Sequence, residues 1–367
     1  MAGSNQQSGE RTTRRRFIAT TGGGAAAFGL AGCAGNGGNG GNGNGNGNGN
    51  GNGGGSDAPG ADGNLIMTTS SSGTTAYAAS QGIAAAIEDA GDDRVFVDAR
   101  PSEGTDANVG RLNAQESDIS YIQNWTAERI RRGEEPFDDL NFQPCQTFHL
   151  YNLPWIFATA NSEWTNISDI GPDDIVVPTQ RGSGTRPALE HALGYVLDEY
   201  ETSSVDFGEL GSAFSEGTID TGAITLLNSD IEPGWVQEMK GTVDLRLLDW
   251  PDDAVEEMRD DDRLFVPDVD MTPFDGYDFA PDTIPGITFS YNFIVRDDLD
   301  YDTLYAMLET LWENRETLDE FNALLGYHAA DEYWVTDMYD GLPFHPAAAD
   351  FYEEVGIWRD EFERFEG

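Results

Sequence analysis

Lysine is almost missing from this chain. Lys240 is the only one, and 20 cationic residues face 66 acidic ones, for a formal net charge of −46. So acidic a surface repels nucleic acid and anionic lipid headgroups, which excludes both as partners. Cysteine is nearly as scarce, with Cys33 and Cys145 alone. The four histidines, His149, His191, His328 and His345, are dispersed with no second histidine at metal-ligand spacing, which speaks against a zinc centre. Asp268 to Asp278 carries the acids of a calcium loop, but Pro273 stands where the loop needs glycine and no Glu closes it. Neither a metal nor a cofactor is expected. Long apolar runs are lacking too, so no segment reads as a membrane span.

What is present begins with an address. Arg14, Arg15 and Arg16 precede Phe17 and Ile18, followed by a short apolar run and Leu30-Ala31-Gly32-Cys33. Residues 1–32 read as a twin-arginine export signal ending in a lipobox, with Cys33 the expected lipidation site. The expected location is therefore extracytoplasmic, with the lipid at Cys33 holding the protein to the cell membrane. Residues 34–55 are almost wholly Gly and Asn, a composition with no apolar surface to offset chain entropy. Residues 33–62 are thus expected to be the lipidated Cys and a tether. Once Cys33 is lipidated, Cys145 has no partner in the chain and reads as a small buried residue. Acids spread evenly through the chain, with Arg kept and Lys nearly lost, resemble the style of haloarchaeal proteins, which work in molar salt where the screening length is about 3 Å.

About 310 residues follow the tether, more than one ordinary core, which predicts two lobes. Short apolar runs alternate with amphipathic stretches, the pattern of α/β folding. Strands are expected at Ile119–Gln123, through the apolar run 146–160, at Gly222–Leu227 and at Ile287–Val295. Helices are expected at Tyr301–Asn314, at Glu316–Leu325 and from about Ala347, the last carrying Phe351, Trp358, Phe362 and Phe365 at helical spacing for core packing. No internal repeat appears.

Three strand exits end in runs of Ser, Thr and Gly: TTSSSGTT, SEGTDAN and QRGSGTR. A helix starts with unpaired backbone N–H groups and the positive end of its dipole, so an anion settles there. Glycine lets a ligand approach the backbone, and Ser or Thr both caps and donates. One such turn is ordinary capping; three converging from separate strands suggest a site at the carboxyl edge of a sheet. Arg181 and Arg186 flank the third turn, and Arg100 and Arg111 lie near the second; each either faces an anion or pairs with a surface acid.

Catalytic patterns are missing. Ser183 lacks the glycine two residues earlier that a nucleophile elbow needs, and the turn lacks a P-loop lysine. A site without chemistry suits a binding protein.

Five stretches in order, SSSGTTAYAASQGIAAAI, SEGTDANVGRLNAQESDISYIQ, GSGTRPALEHAL, FSEGTIDTGAI and LPFHPAAADFYEEVGIW, resemble the TAXI family, the solute-binding subunits of one branch of TRAP transporters. The resemblance implies an α/β, two-lobe type II periplasmic-binding-protein fold with a hinge crossed by two segments. Lobe 1 would span 63–157 plus 286–367 and lobe 2 158–285. It implies a small organic anion or amino acid, such as glutamate or 2-oxoglutarate, held in the cleft and delivered to TRAP-type permease subunits. By motif, Ser71, Gly73, Thr74, Tyr77, Gly104, Thr105, Asn108 and Gln123 would line one side, and Gly182, Ser183, Gly184 and Thr185, flanked by Arg181 and Arg186, the other. Asn124-Trp125 departs from the family, where an Asp is usual. An oxyanion receptor of an ABC importer, and a serine hydrolase using Ser183 or Ser71, are the alternatives.

Overall fold

The computed structural model describes residues 58–367. The expected export signal, Cys33 and the Gly/Asn stretch lie outside the described residues. The end of the expected tether does not hang free: turns at Gly60 and Gly63, both at positive φ, let the Pro59 carbonyl accept from Asp300 N at 2.9 Å and the Gly60 carbonyl from Thr303 Oγ1 at 2.9 Å.

The first half of the chain runs β1 Asn64–Thr68, α1 Thr75–Ala90, β2 Phe96–Arg100, α2 Thr105–Asn113, β3 Ile119–Gln123, α3 Asn124–Arg131 and the long β4 Pro144–Thr159. The second runs β5 Ile175–Val177, α4 Arg186–Leu193, β6 Glu201–Thr202, α5 Leu210–Glu216, β7 Thr221–Thr225, α6 Gly234–Lys240, β8 Arg246–Leu248 and α7 Asp252–Arg259. A small ribbon, β9 Asp268–Asp270 with β10 Thr283–Pro285, leads back into β11 Ile287–Arg296, and α8 Tyr301–Glu313 and α9 Pro346–Val355 follow.

The strands form one sheet in the order β2-β1-β3-β11-β4-β7-β5-β6, with β8 also on β4. Its two halves repeat one pattern. In β2-β1-β3-β11-β4 the inserted antiparallel strand is β11; in β6-β5-β7-β4-β8 it is β4. β4 belongs to both halves, pairing with β11 along most of its length and with β7 and β8 from Trp155 to Thr159. This is the two-lobe α/β fold expected of a type II periplasmic-binding arrangement, with β4 and β11 as its crossing segments. β11 is buried at every position and β4 at all but Asn152. Each fully buried Leu, Ile or Phe contributes about 1.5–3 kcal/mol, so these two strands anchor both lobes.

Helix limits follow local chemistry. Thr74 caps α1 by accepting from Tyr77 N, and Gly91 ends it in the left-handed region. Pro346 begins α9, and Gly356 at φ 81° ends it. The final helix is therefore shorter than the aromatic spacing predicts. Trp358 and Phe362 lie beyond it and fold back onto Phe344, with ring centroids 5.3 and 4.8 Å away. The stretch Glu316–Leu325 is not one helix either, but 3-10 turns at Arg315–Glu320 and Ala323–Ala329. Cys145 is buried and forms no disulfide among the described residues, and burial pushes its thiol well above the ordinary range.

The lone lysine has a structural place. Lys240 Nζ meets Glu232 at 2.7 Å with both side chains mostly buried, donates to the Asp275 carbonyl, and lies over the Tyr277 ring, whose hydroxyl donates to Glu232. Removing one partner of a buried pair leaves an uncompensated charge, so Lys240→Ala should lower unfolding free energy by about 3 kcal/mol. Chemical denaturation in molar salt reads this, and an unchanged midpoint contradicts it.

Three histidines sit in the core. His149 Nδ1 is 2.8 Å from Asn292 Oδ1, and the Asn292 amide donates to the Asp337 carbonyl, so the imidazole is the donor to Oδ1. Burial lowers His149, His328 and His345 to about 4. The unfolded chain then binds more protons between pH 6.5 and 4, and stability falls as pH drops through that window. The expected loss is roughly 2 kcal/mol per imidazole by pH 5; stability that stays flat from pH 7 to 5 contradicts it.

Candidate functional site

Strand directions place the site. β3 is antiparallel to β11 and β11 to β4, so β3 runs the same way as β4, towards the second lobe. β7 is antiparallel to β4, so β7 and its parallel neighbour β5 run towards the first. The carboxyl ends of the parallel strands in the two lobes thus face each other.

In the first lobe a hydroxyl and amide network fixes the exits. The Ser70 and Thr74 hydroxyls bond each other, and Thr74 also caps α1. Ser102 Oγ donates to the Thr69 carbonyl at 2.8 Å. Asn108 Nδ2 donates to the carbonyls of Thr69 at 2.7 Å and Tyr121 at 2.8 Å, tying β1 to β3, while its buried Oδ1 has no partner. Gln123 Oε1 caps α3 by accepting from Trp125 N and Thr126 N.

In the second lobe the exit of β5 forms the facing turn. Gly182 is at φ 85°, a conformation that glycine alone adopts freely. Ser183 Oγ and Thr185 Oγ1 share a hydrogen bond of 2.7 Å, and no imidazole or carboxylate bonds to Ser183 among the described residues.

The lobes touch here. Gln123 Nε2 donates to the Gly184 carbonyl at 3.2 Å. A Cβ at Gly184 would lie 2.6 Å from Thr105 Oγ1, so only glycine fits this approach. Thr105 starts α2 and Thr185 precedes α4, and neither helix has a side-chain cap. The α2 start, with its free N–H groups and positive dipole end, thus faces the start of α4, where Arg186 N donates to the Ser183 carbonyl and Pro187 has no N–H, which leaves Ala188 N as the open donor among the described residues. Around them Trp125 packs on His191 at 5.4 Å, His191 Nε2 meets Asp261 at 2.6 Å, and ion pairs cross from Arg131 to Asp262 at 3.8 Å and from Arg263 to Glu134 at 3.6 Å.

Of the residues predicted from the motifs, the structure brings Thr105, Gln123 and Gly184 into contact, with Gly104, Asn108, Ser183 and Thr185 beside or beneath them. Ser71, Gly73 and Gly182 are exposed on their turns, and Tyr77 is half-buried. The arginines separate. Arg186 bonds Glu190 at 2.7 Å and the carbonyls of Thr179 and Ser203, so it braces the turn. Arg100 and Arg111 pair with Asp98 and Glu103. Arg181 is exposed and makes no ion pair among the described residues.

An aromatic group was not foreseen. Tyr121, Tyr291 and Tyr151, from the neighbouring strands β3, β11 and β4, stack in a column with centroids 4.8 and 4.9 Å apart. Burial pushes the Tyr121 hydroxyl up to about 12, with the Ser70 and Tyr151 hydroxyls working against it. Trp155 packs on Phe207 at 5.6 Å, and Phe207 stacks on Trp235 at 5.1 Å. The three tyrosines meet only through strand register, which carries no local signal.

A cavity of about 540 Å³ lies between the lobes beside β11, lined by Asn124, Glu128, Arg131, Asp262, Phe265 and Ser290 among others. A larger open groove of about 1070 Å³ runs past Arg94, Asp300, Tyr301, Asp350 and Glu354, away from the strand exits. None of the motif residues lines either one, because in this arrangement the turns press against each other. Among the described residues no helix is long and apolar enough to cross a membrane.

No curated protein matches the chain. Among solved structures it is similar to the periplasmic aliphatic sulphonate binding protein SsuA from Escherichia coli, at 12% identity over 79% of this chain and 78% of that one, with a TM-score of 0.42. It is also similar to protein AF1704 from Archaeoglobus fulgidus, at 12% identity over 80% and 98% with a TM-score of 0.41. Substrate binding domain 2 of Lactococcus lactis GlnP, in its open conformation, is similar at 12% identity over 75% and 97%, with a TM-score of 0.37. The superposition is partial in each case. The model of the NMT1-like family matches residues 67–356, from β1 through both crossing strands to the end of α9. The chain belongs to the NMT1-like family.

Proposed function

We propose that this chain is an extracytoplasmic solute-binding receptor, held to the membrane by a lipid on Cys33, that closes over a small organic anion and presents it to a permease of the TRAP type. The lobes in this reading are residues 63–157 with 286–367, and 158–285. One observation carries it: the open N-terminus of α2 and the Ser183-Gly184-Thr185 turn ahead of α4, one on each side of the cleft, meet where Gly184 packs on Thr105. An anion there would take hydrogen bonds from the α2 N–H groups on one side and from the Ser183 and Thr185 hydroxyls and Ala188 N on the other, contacts that only the closed state offers, and so shift the population towards closure. The TAXI-like order of the five motifs supports the transporter branch, and the signal and lipobox support the anchor.

Gly184 supplies the test. Its φ lies in the ordinary range, so alanine brings no backbone strain, only a Cβ 2.6 Å from Thr105 Oγ1. Gly184→Ala should block closure and weaken binding of carboxylates about tenfold or more, by calorimetry in molar salt, while the unliganded melting temperature hardly changes. Pairing it with Thr105→Ala should recover part of the loss. Unchanged affinity in the single variant contradicts closure at this contact.

A further inference from the structure

We infer that the ligand is a monoanion with a flat apolar body, such as an aromatic carboxylate, and not a dicarboxylate. The inference rests on the anion-receptor reading above and narrows it.

The first ground is charge. Sixteen of the chain's cationic residues follow Cys33, and among the described residues all but Arg181 and Arg359 make an ion pair. At the meeting point of α2 and α4, Arg111 pairs with Glu103, Arg129 with Asp106 at 2.8 Å and Arg186 with Glu190. Arg359 lies over the Phe362 ring, at the end of the chain. Among the described residues Arg181, on the β5–α4 turn, is the cation beside these helix starts that makes no ion pair. With the open α2 N-terminus it matches one negative charge. A second carboxylate would be desolvated with no cation to meet it, in a chain whose acids already outnumber its bases threefold, and an uncompensated buried charge is strongly unfavourable.

The second ground is the walls. The exits of β1, β3, β6 and β7 carry Tyr77, Trp125, Phe207 and Trp235 in turn, and Trp155 sits on β4 where its partner changes from β11 to β7. Phe207 lies between Trp155, tilted at 36°, and Trp235, nearly parallel at 22°. Phe207 and Trp235 are half-buried, and a flat ligand would extend this stack from the Trp235 side or along the ring edges. Faces of this kind favour a planar apolar partner by offset stacking.

The third ground is a donor. The Trp155 side chain is 3% exposed, and its indole N–H is buried with no hydrogen-bond partner among the described residues, as is that of Trp250, which packs on Phe157 away from Phe207. Buried indole N–H groups nearly always have one. A carboxylate or carbonyl oxygen on a ligand stacked beside Phe207 would accept it.

The experiment titrates the intact chain in molar potassium chloride with phenylacetate, phenylpyruvate, succinate and 2-oxoglutarate, by calorimetry and by tryptophan fluorescence. The aromatic monocarboxylates should bind about tenfold or more tightly than either dicarboxylate, and should quench tryptophan emission. Phe207→Ala should weaken the aromatic ligands about tenfold. Trp155→Phe, which keeps a ring and removes the N–H, should weaken them about fivefold. Circular dichroism and the melting temperature check that each variant folds. If a dicarboxylate binds as tightly as the aromatic acids, the inference is overturned and the anion-receptor reading stands. If no member of the series binds, that reading fails and the inference fails with it. If Phe207→Ala folds yet leaves the aromatic affinities unchanged, the stacking wall is refuted.

Discussion

The antiparallel pairing of β4 with β11 is the constraint on which everything else depends. It runs from Pro144 with Arg296 to Trp155 with Ile287. Because the two strands run oppositely, each enters one lobe as the other leaves it, and the parallel strands built on them must point their carboxyl ends towards the gap. The Ser, Thr and Gly turns face one another for that reason. Register bends within the pairing, at Tyr291 and Asn292, re-aim side chains where the tyrosine column forms. In the receptor reading proposed above, closure would be a tilt of one lobe about these strands that leaves each half-sheet intact.

Charge shapes the molecule in a second way. With −46 on the chain, each cation is valuable, and arginine serves where one group must hold several acceptors. Arg186 ties a carboxylate and two carbonyls, and Arg296 pairs with Asp298 while donating to the Leu112 carbonyl and Asn141. The planar fork suits such multiple contacts. Lysine survives only where a compact point charge fits between Glu232, the Asp275 carbonyl and the Tyr277 ring. In molar salt the exposed pairs are screened, while buried ones keep most of their strength.

Much of the fold was legible locally. The alternation of apolar and amphipathic stretches announced α/β folding, and Ile119–Gln123 and the strand from Ile287 emerged where expected. The failures have physical causes. Phe351, Trp358, Phe362 and Phe365 share a helical spacing, but Gly356 ends the helix among them, and Phe344, distant in spacing logic, gathers the later rings. At the site, the Ser, Thr and Gly turns were visible because helix starts have a local signature. That Gly184 meets Thr105, or that Tyr121, Tyr151 and Tyr291 stack, depends on pairing between segments up to 170 residues apart, which spacing along one strand cannot report. Arg186 illustrates the same limit: its position beside the turn suggested a ligand contact, and the carbonyl of Ser203, from the far side of α4, claims it.

The central claim is that the two lobes move relative to one another and that a bound anion holds them together. Spin labels at Ser72 and Ser204, exposed positions on opposite sides of the cleft, would report the separation directly by pulsed dipolar spectroscopy in molar salt. Without ligand the account predicts a broad distribution that includes separations longer than those of the closed structure. Saturation with the tightest-binding carboxylate should collapse it to one short distance. A single distance that is the same with and without ligand would contradict the claim.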